Sequence, residues 1–312
     1  MSEDVVLGPV LHLGEHVVRA GTCSWTDRTL VKDSDWYPRK TMTAAERLGF
    51  YAAHFPLVEV DATYYAPPSE QTASLWAARS PEGFEFDVKA YSLLTGHPTR
   101  LQSLWSDLRD GVLPEHRDQE RIYASHLEPQ ALEEAWQRFV SALKPLREAG
   151  RLRAVLFQYP PWFHPRRDTR AELERLPGRL DGLQGLIEFR SPRWTATQRD
   201  RERTLEVLES LELAYVCVDA PPASGLPRLV AVTHEPAVLR CHGRSDQAWK
   251  RVGGTAAERF RYLYDDGELR ELAGSVRELA EGAKETHLLM NNCYRDYAVR
   301  NAGRLIELTG GG

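Results

Sequence analysis

Polar and ionisable side chains recur where short apolar segments of the chain end. Alternate residues of a strand share a face, so Glu188 lies on the same face as Arg190, and Arg240 on the same face as His242. The residues at such ends are Asp61, Lys89, Gln158, Glu188, Arg190, Asp219, Arg240, His242, Asn291 and Asn292. Carboxylates, a histidine and cations gathered at one place can transfer protons and bind an anion.

Eight such apolar segments alternate with longer segments of helical periodicity. This alternation favours βαβ units and a parallel sheet. The segments predict strands at residues 18–24, 57–63, 84–89, 154–158, 185–189, 214–219, 237–242 and 287–291. In a parallel barrel all carboxyl ends meet at one rim, where barrel enzymes carry their catalytic groups. We therefore expect an α/β fold, a single (β/α)8 (TIM) barrel with a polar mouth.

Helix signals occupy most of the intervals between these strands. A capping box at Thr43 and Glu46 begins one helix, which Pro56 ends. Residues 92–127 predict a long polar loop after the third strand, on the face where barrels hold their active sites. Pro222 and Pro227 predict a weak or missing helix between the sixth and seventh strands.

Length and composition are those of one large globular domain. The chain has 312 residues, of which 42% are hydrophobic, and a net charge of -5, which disfavours a general nucleic-acid-binding role. We expect an N-terminal extension at residues 1–17, the barrel at 18–309 and a disordered tail at 310–312. The sequence lacks an apolar run long enough for a membrane span, and its acidic N-terminus is untypical of a signal peptide, so we expect a cytoplasmic protein.

Eight motifs give the chain a family resemblance over roughly residues 18–309. They read GTCSW, VEVDATYYAPP, FEFDVKA, LFQYPPWF, IEFRSPRW, CVDAP, LRCHGR and MNNCYRDYAVRNA. Their order and their positions at strand ends resemble the YecE-like proteins, also called the domain of unknown function 72 family. The resemblance implies a TIM barrel and no established activity.

Two motifs depart from the usual pattern of that family. Asp61 stands where the family usually has Asn, and the first motif continues with Cys23, Ser24, Trp25 and Thr26 where Gly-Trp-Ser-Tyr is usual. Asp61 adds a carboxylate to the mouth, which favours an acid/base or metal role there over an amide donor.

Our first hypothesis is an enzyme that acts by acid/base chemistry, as a hydrolase, lyase or isomerase, on a small or sugar-like anionic substrate. Lys89, Arg190 and Arg240 would hold a phosphate or carboxylate group. The catalytic candidates are Glu188, Asp61, His242 and Asp219, with His242 as a proton carrier near neutral pH. Further substrate contacts are predicted at Gln158, Asn291, Asn292, Trp25 and Tyr64, and Tyr65 and Trp162 could also stack on a ring.

Other interpretations of the same residues stay open. No cofactor is predicted, but Glu59, Asp61, Glu188, Asp219 and His242 have the ligand chemistry of a divalent-metal-dependent nuclease or isomerase. A non-catalytic binding protein and a structural ion network would also use these charges. Four cysteines, Cys23, Cys217, Cys241 and Cys293, allow a metal site built from all four thiolates or a redox pair, although Cys241 should face the surrounding helices.

Nucleic acid is a weaker alternative as partner. Arg100, Arg109, Arg117 and Arg121 in the long loop could contact phosphates, but acidic residues interrupt them, as is typical of a solvated surface. The predicted partner is a small-molecule anion, with no membrane, and the sequence does not indicate an oligomeric state.

Overall fold

Eight parallel strands close into a barrel in the computed structural model, which describes residues 6–250 and 256–311. The strands are β1 (His16–Thr22), β2 (Leu57–Val60), β3 (Glu85–Lys89), β4 (Leu152–Tyr159), β5 (Gly185–Phe189), β6 (Ala214–Asp219), β7 (Ala237–Cys241) and β8 (Glu285–Met290). Each strand pairs in parallel with the next, and β8 pairs with β1, which closes the barrel. The predicted TIM barrel is confirmed, with strand ends shifted by a few residues.

Helices surround the barrel. They are α1 (Arg28–Asp33), α2 (Ala44–Ala52), α3 (Glu70–Ala78), α4 (Pro129–Ala142), α5 (Lys144–Glu148), α6 (Arg167–Leu180), α7 (Gln198–Ser210), α8 (Asp246–Lys250), α9 (Ala256–Arg259), α10 (Asp266–Gly282) and α11 (Tyr297–Gly310). The capping box at the start of α2 is present, with Thr43 accepting from the backbone of Glu46 and the Glu46 carboxylate accepting from the backbone of Thr43. None of the described helices has the length and apolar character needed to cross a membrane.

Two apolar cores follow from the alternation of side chains along the strands. The outer core lies between strands and helices and includes Val58 and Leu239. The inner core fills the barrel and includes Leu57 and Val238. Residues two positions after an inner-core residue face the interior as well, so Glu59 shares the interior with Leu57. The register of the apolar residues thereby directs the charged strand ends into the barrel.

The two predicted irregularities are present. Residues 92–127 form a long insert of 3₁₀ turns with one short antiparallel pair, Thr99–Arg100 with Arg121–Ile122. Arg109 and Arg117 donate to backbone carbonyls within this insert, at 2.8–3.2 Å. Only a 3₁₀ turn, Pro222–Ser224, separates β6 from β7.

Both ends of the barrel domain extend beyond the predicted limits. β1 begins at His16, and the strand Leu11–Leu13 pairs with it in antiparallel fashion. Helix α11 runs through Gly310, the first residue of the expected tail, and Gly312 lies outside the described residues.

Candidate active site

A cavity of about 570 Å³ opens at the carboxyl ends of the strands. Polar side chains from five strand ends form its floor, namely Asp61, Lys89, Gln158, Arg190 and Asn291. Aromatic rings and loop residues form its rim, namely Tyr64, Tyr65, His97, Pro161, Trp162, Pro192, Ser224, Trp249, Arg259 and Phe260. The strand-end residues expected at a common mouth are therefore brought together in part.

Three cations converge on one neutral oxygen in this floor. The Oε1 atom of Gln158 lies 3.2 Å from Lys89 Nζ, 3.2 Å from Arg190 Nη2 and 3.4 Å from Arg240 Nη1. Burial, together with the charge of Arg240, lowers the pKa of Lys89 to about 8. Lys89 is therefore largely protonated at neutral pH, and the three positive charges surround the same point.

Arg240 is sequestered beneath the cavity and does not line it. Its side chain is fully buried and makes a bidentate pair with Glu59, at 2.6 Å from Nε to Oε2 and 2.7 Å from Nη2 to Oε1. Its Nη1 atom lies 2.8 Å from Glu188 Oε2. Arg240 thus supplies positive charge below the floor, and its expected direct contact with substrate is not supported by its position.

Glu188 is fully buried in the same network and likewise does not line the cavity. It pairs with Arg240, with Arg190 Nε and with His242 Nε2, the last at 3.3 Å. Although burial alone would raise its pKa, the charges of Arg190 and Arg240 hold the pKa of Glu188 well below its usual range. An enclosed, permanently paired carboxylate orients Arg190 and is poorly suited to be the general base predicted from the sequence.

Asp61 is the carboxylate that faces the cavity. It follows β2 directly and precedes the 3₁₀ turn Ala62–Tyr64, but its side chain does not cap that turn. Among the described residues, none donates a hydrogen bond to its carboxylate or pairs with it. Burial, followed by the negative charge of Glu59, raises the pKa of Asp61 to about 7. This pKa suits a group that gains and loses a proton at neutral pH.

His242 is enclosed behind the floor rather than exposed to the cavity. Its Nδ1 atom lies 2.7 Å from the side-chain amide nitrogen of Asn291, and its Nε2 atom lies 3.0 Å from Arg190 Nη2. Burial, together with the charge of Arg190, lowers the pKa of His242 to about 3. A ring that is neutral near pH 7 does not support the predicted role as a proton carrier, whereas its contacts hold Arg190 and Asn291 in position.

Asp219 does not line the cavity, so its position does not support the predicted catalytic role. It accepts from Arg244 at 3.0–3.2 Å, from the hydroxyl of Tyr264 at 2.7 Å and from Arg228 at 3.4 Å. The hydroxyl oxygen of Tyr264 also accepts a hydrogen bond from the backbone N–H of Gly243, at 2.8 Å. Asp219 therefore ties the loop after β7 to the segment before α10.

Two further candidates are structural. Trp25 is buried against Trp76 and Phe86, with ring centroids 5.9 and 6.3 Å away. Asn292 is fully buried and donates to the carbonyl of Tyr262 and to Asn301 Oδ1, both at 2.8 Å. Neither residue lines the cavity, so their predicted contact with substrate is not supported.

Comparison with known proteins agrees with this architecture. A family model described as "Protein of unknown function DUF72" matches residues 19–311. The chain belongs to the DUF72 family. It is 29% identical over 298 residues to the UPF0759 protein YunF of Bacillus subtilis strain 168, covering 94% of each chain.

Solved structures of other DUF72 proteins share the fold. A DUF72 protein of Enterococcus faecalis V583 matches with a TM-score of 0.73 and 26% identity, over 94% of this chain and 95% of the other. A DUF72 protein of Thermotoga maritima MSB8 matches with a TM-score of 0.71 and 28% identity, over 93% and 98%.

The aromatic rim of this DUF72 barrel is only partly foreseen by the sequence. Tyr65 and Trp162 are 62% and 54% exposed, which is unusual for such large rings and leaves their faces free for a ligand. Trp249 lies under the guanidinium of Arg190, with its ring centroid 5.4 Å from Cζ. The Nζ atom of Lys89 lies over the ring of Tyr64, 4.6 Å from the ring centroid. Trp249 and Phe260 lie in no recognised motif, so no local signal pointed to them.

Metal ligation at the mouth of the DUF72 barrel is not favoured by the arrangement of the carboxylates. Glu59 and Glu188 are fully buried beneath the cavity, and Arg240 pairs with both of them. Among the described residues, one group of three or more potential ligands has its ligand atoms within 4.8 Å of one another, and it lies at the opposite end of the barrel (Glu85, Glu285 and His287).

The cysteines do not form a shared site in the described residues. Cys23 packs in the inner core, whereas Cys217 and Cys241 pack in the outer core. The predicted orientation of Cys241 toward the helices is thereby confirmed, and the four-thiolate alternative is wrong because the barrel wall separates these side chains. Burial raises the thiol pKa of all four cysteines.

Proposed function

We propose that the cavity is the active site of an enzyme that binds a small anionic, ring-bearing substrate and transfers a proton through Asp61. The observation that carries this proposal is the convergence of Lys89, Arg190 and Arg240 on the single oxygen of Gln158. Glu59 and Glu188 compensate two of these three positive charges, and the remaining one is available to a phosphate or carboxylate.

The anion is held by the two cations that reach the cavity. Lys89 and Arg190 line it, whereas Arg240 lies behind them and is neutralised by Glu59 and Glu188. An anionic oxygen seated beside Gln158 accepts hydrogen bonds from Lys89 and Arg190. Glu188 and His242 hold the Arg190 guanidinium in place for this contact.

Asp61 is the proton carrier in this proposal. Its carboxylate faces the cavity, has a pKa of about 7 and is not used in a fixed ion pair among the described residues. A bound anion draws on the positive charge of Lys89, which otherwise lowers the pKa of Asp61, so binding favours the protonated form of Asp61. Asp61 thus serves as a general acid when protonated and as a general base when ionised.

The part of the substrate that does not carry the acidic group packs among the aromatic rings at the rim of the cavity. Trp162 and Tyr65 are exposed at the rim, and Trp249 stands beside Arg190. Flat or sugar-like rings pack on such faces. Substrates of this class carry an acidic group at one end and a ring at the other.

Binding and turnover are tested separately. Inorganic sulfate is titrated by calorimetry against the wild type, Lys89→Met and, as a matched control, Lys144→Met, whose side chain is 68% exposed. Lys89→Met is expected to weaken sulfate binding at least tenfold and Lys144→Met to leave it unchanged. Equal sulfate affinity of Lys89→Met and the wild type would refute the proposed anion site at Lys89 and Arg190.

Turnover is then followed by proton NMR with monophosphorylated and carboxylated sugars and aryl phosphates that stabilise the protein thermally. Asp61→Asn is expected to abolish turnover, and Asp35→Asn, whose side chain is fully exposed, to retain it. Thermal stabilisation by such compounds without conversion of any of them would favour the non-catalytic binding protein.

A further inference from the structure

A second polar cluster lies inside the barrel at the amino ends of the strands, opposite the cavity. Glu85 is the first residue of β3, Glu285 is the first residue of β8, and His287 follows on the same face of β8. These three side chains come together although 200 residues of chain separate β3 from His287. None of these three side chains lines the cavity at the carboxyl ends of the strands.

Two of the three separations between their ligand atoms match those around a coordinated metal ion, and all three atoms lie within 4.8 Å of one another. His287 Nε2 lies 3.3 Å from Glu85 Oε2 and 3.5 Å from Glu285 Oε1. Zinc bound about 2.0–2.1 Å from nitrogen and oxygen ligands in a tetrahedron separates those ligands by roughly 3.3–3.5 Å. An ion placed between the three atoms would therefore need little rearrangement of the side chains.

Two of the ligand atoms lack a hydrogen bond. His287 is fully buried, and although its Nε2 atom lies 3.3 Å from Glu85 Oε2, neither atom makes a well-directed hydrogen bond. Enclosed polar atoms without a hydrogen bond are uncommon in folded proteins and call for an explanation. A cation between them satisfies both atoms at once.

Asp87 supplies the usual outer partner of a metal-binding histidine. Its Oδ2 atom lies 2.7 Å from His287 Nδ1, and both side chains are fully buried. Histidines that bind metals commonly donate the other ring N–H to a carboxylate, which fixes the ring and directs the second nitrogen at the ion. Here that second nitrogen points at Glu85 and Glu285.

We infer that Glu85, Glu285 and His287 bind one divalent transition-metal ion of the zinc type, oriented through Asp87, at the amino end of the barrel. A mixed imidazole and carboxylate set suits such ions better than Ca²⁺ or Mg²⁺. The carboxylate side chains are 15% and 16% exposed, which leaves an approach from solvent and room for a water as fourth ligand. The ion ties β3 to β8 far from the reaction.

Arg19 and Arg153 flank the site and position its carboxylates. Arg19 Nε lies 2.8 Å from Glu285 Oε1 and 3.3 Å from Glu85 Oε1, and Arg153 Nε lies 2.7 Å from Glu285 Oε2. These contacts leave Glu85 Oε2 turned toward His287. The alternative to a metal site is an ion network in which a protonated His287 pairs directly with the carboxylates. This alternative predicts that the protein does not bind zinc here.

Zinc binding to chelator-treated full-length protein decides between the two arrangements. Calorimetric titration with Zn²⁺ at fixed pH, checked by elemental analysis after desalting, is expected to give one equivalent per chain. Glu85→Gln, Glu285→Gln and His287→Gln are expected to lose that equivalent. Asp87→Asn is expected to weaken it about 10–100-fold, as for other outer partners.

Control variants separate this site from other zinc ligands in the barrel. His242→Gln and Cys293→Ser are expected to keep the full equivalent. If His287→Gln does not fold, zinc binding is compared between the wild type and Glu85→Gln, because the Glu85 side chain lies nearer to solvent. No zinc equivalent in folded wild-type protein, or an equivalent that persists in Glu85→Gln but is lost in His242→Gln, would overturn the inference. Sulfate binding at the opposite end is independent of either result.

Discussion

Arg240 and Glu59 form a fully buried bidentate ion pair that spans the barrel interior between strands 181 residues apart in sequence, at 2.6 and 2.7 Å. Each partner is out of reach of water, so each depends on the other for compensation of its charge. The pair anchors the floor beneath the cavity, because Arg240 also holds Glu188, which in turn holds Arg190.

Removal of Arg240 is therefore expected to be costly. Arg240→Met leaves Glu59 and Glu188 buried with a missing partner, and breaking such pairs lowers the free energy of unfolding by about 3–5 kcal/mol. Denaturant titration measures this change. Adding Glu59→Gln to Arg240→Met should recover part of the loss, because it removes one uncompensated charge. Arg39→Met breaks an exposed pair with Glu46 and serves as control; an effect of Arg240→Met as small as that of the control would contradict the account.

Anion affinity is expected to fall as the pH rises from 6 to 9. Asp61 becomes ionised through its pKa of about 7, and Lys89 loses its charge through its pKa of about 8. Both changes disfavour a bound anion. Sulfate is the suitable probe, because its own charge is constant over this range, and calorimetry at constant ionic strength measures the affinity.

Two variants assign the pH dependence to its groups. Asp61→Asn should flatten the lower part of the profile and Lys89→Met the upper part. A wild-type profile that is level from pH 6 to 9 would show that neither group faces the anion.

The raised pKa of Asp61 should also be visible in the pH dependence of the free energy of unfolding. Between its ordinary value of 3.8 and about 7, the carboxyl is protonated in the folded state and ionised in the unfolded state. The folded state then binds more protons, so this group makes stability decrease with rising pH, by up to about 1.4 kcal/mol per pH unit. Asp61→Asn should lack this decrease and be more stable than the wild type above pH 7. Denaturant unfolding at pH 5, 6, 7 and 8 tests this, with Asp35→Asn expected to follow the wild type.

The aromatic rim should distinguish ring-bearing anions from simple ones. Trp162→Ala removes an exposed ring beside the cavity and is expected to weaken phenyl phosphate binding by about 0.5–1.5 kcal/mol, the range for aromatic pairs. Sulfate binding should be unchanged, since Lys89 and Arg190, and not Trp162, are the proposed contacts of the anion. Tyr123→Ala, a partly exposed ring outside this cavity, is the matched control. Equal losses for both anions would argue against ring stacking at Trp162.

Asp219→Asn should separate stability from binding. Asp219 is held by Arg244 and the Tyr264 hydroxyl, and hydrogen bonds to charged groups contribute about 1.5–3 kcal/mol. The variant is expected to unfold at lower denaturant concentration while its sulfate affinity stays within twofold of the wild type. A large loss of sulfate affinity without loss of stability would restore Asp219 to the candidate site.

The eight strands, the long loop after β3 and the absent helix before β7 all follow from the sequence. Apolar periodicity and prolines act locally, so the chain alone determines where strands form and which residues end them. The gathering of Asp61, Lys89, Gln158, Arg190 and Asn291 at one cavity was also expected, because parallel strands deliver their carboxyl ends to one rim.

Only the tertiary structure decides what each strand-end charge does. In the sequence, Arg240 and Glu188 stand at strand ends just as Lys89 and Asp61 do. In the structure, however, Arg240 pairs with Glu59 and Glu188 pairs with Arg190, beneath the floor of the cavity. Whether a charge is paired, and how far burial shifts its pKa, depends on distances across the barrel that no local pattern encodes. His287 shows this most clearly: in the sequence it begins an apolar segment that predicts a strand, and only barrel closure brings it against carboxylates from β3.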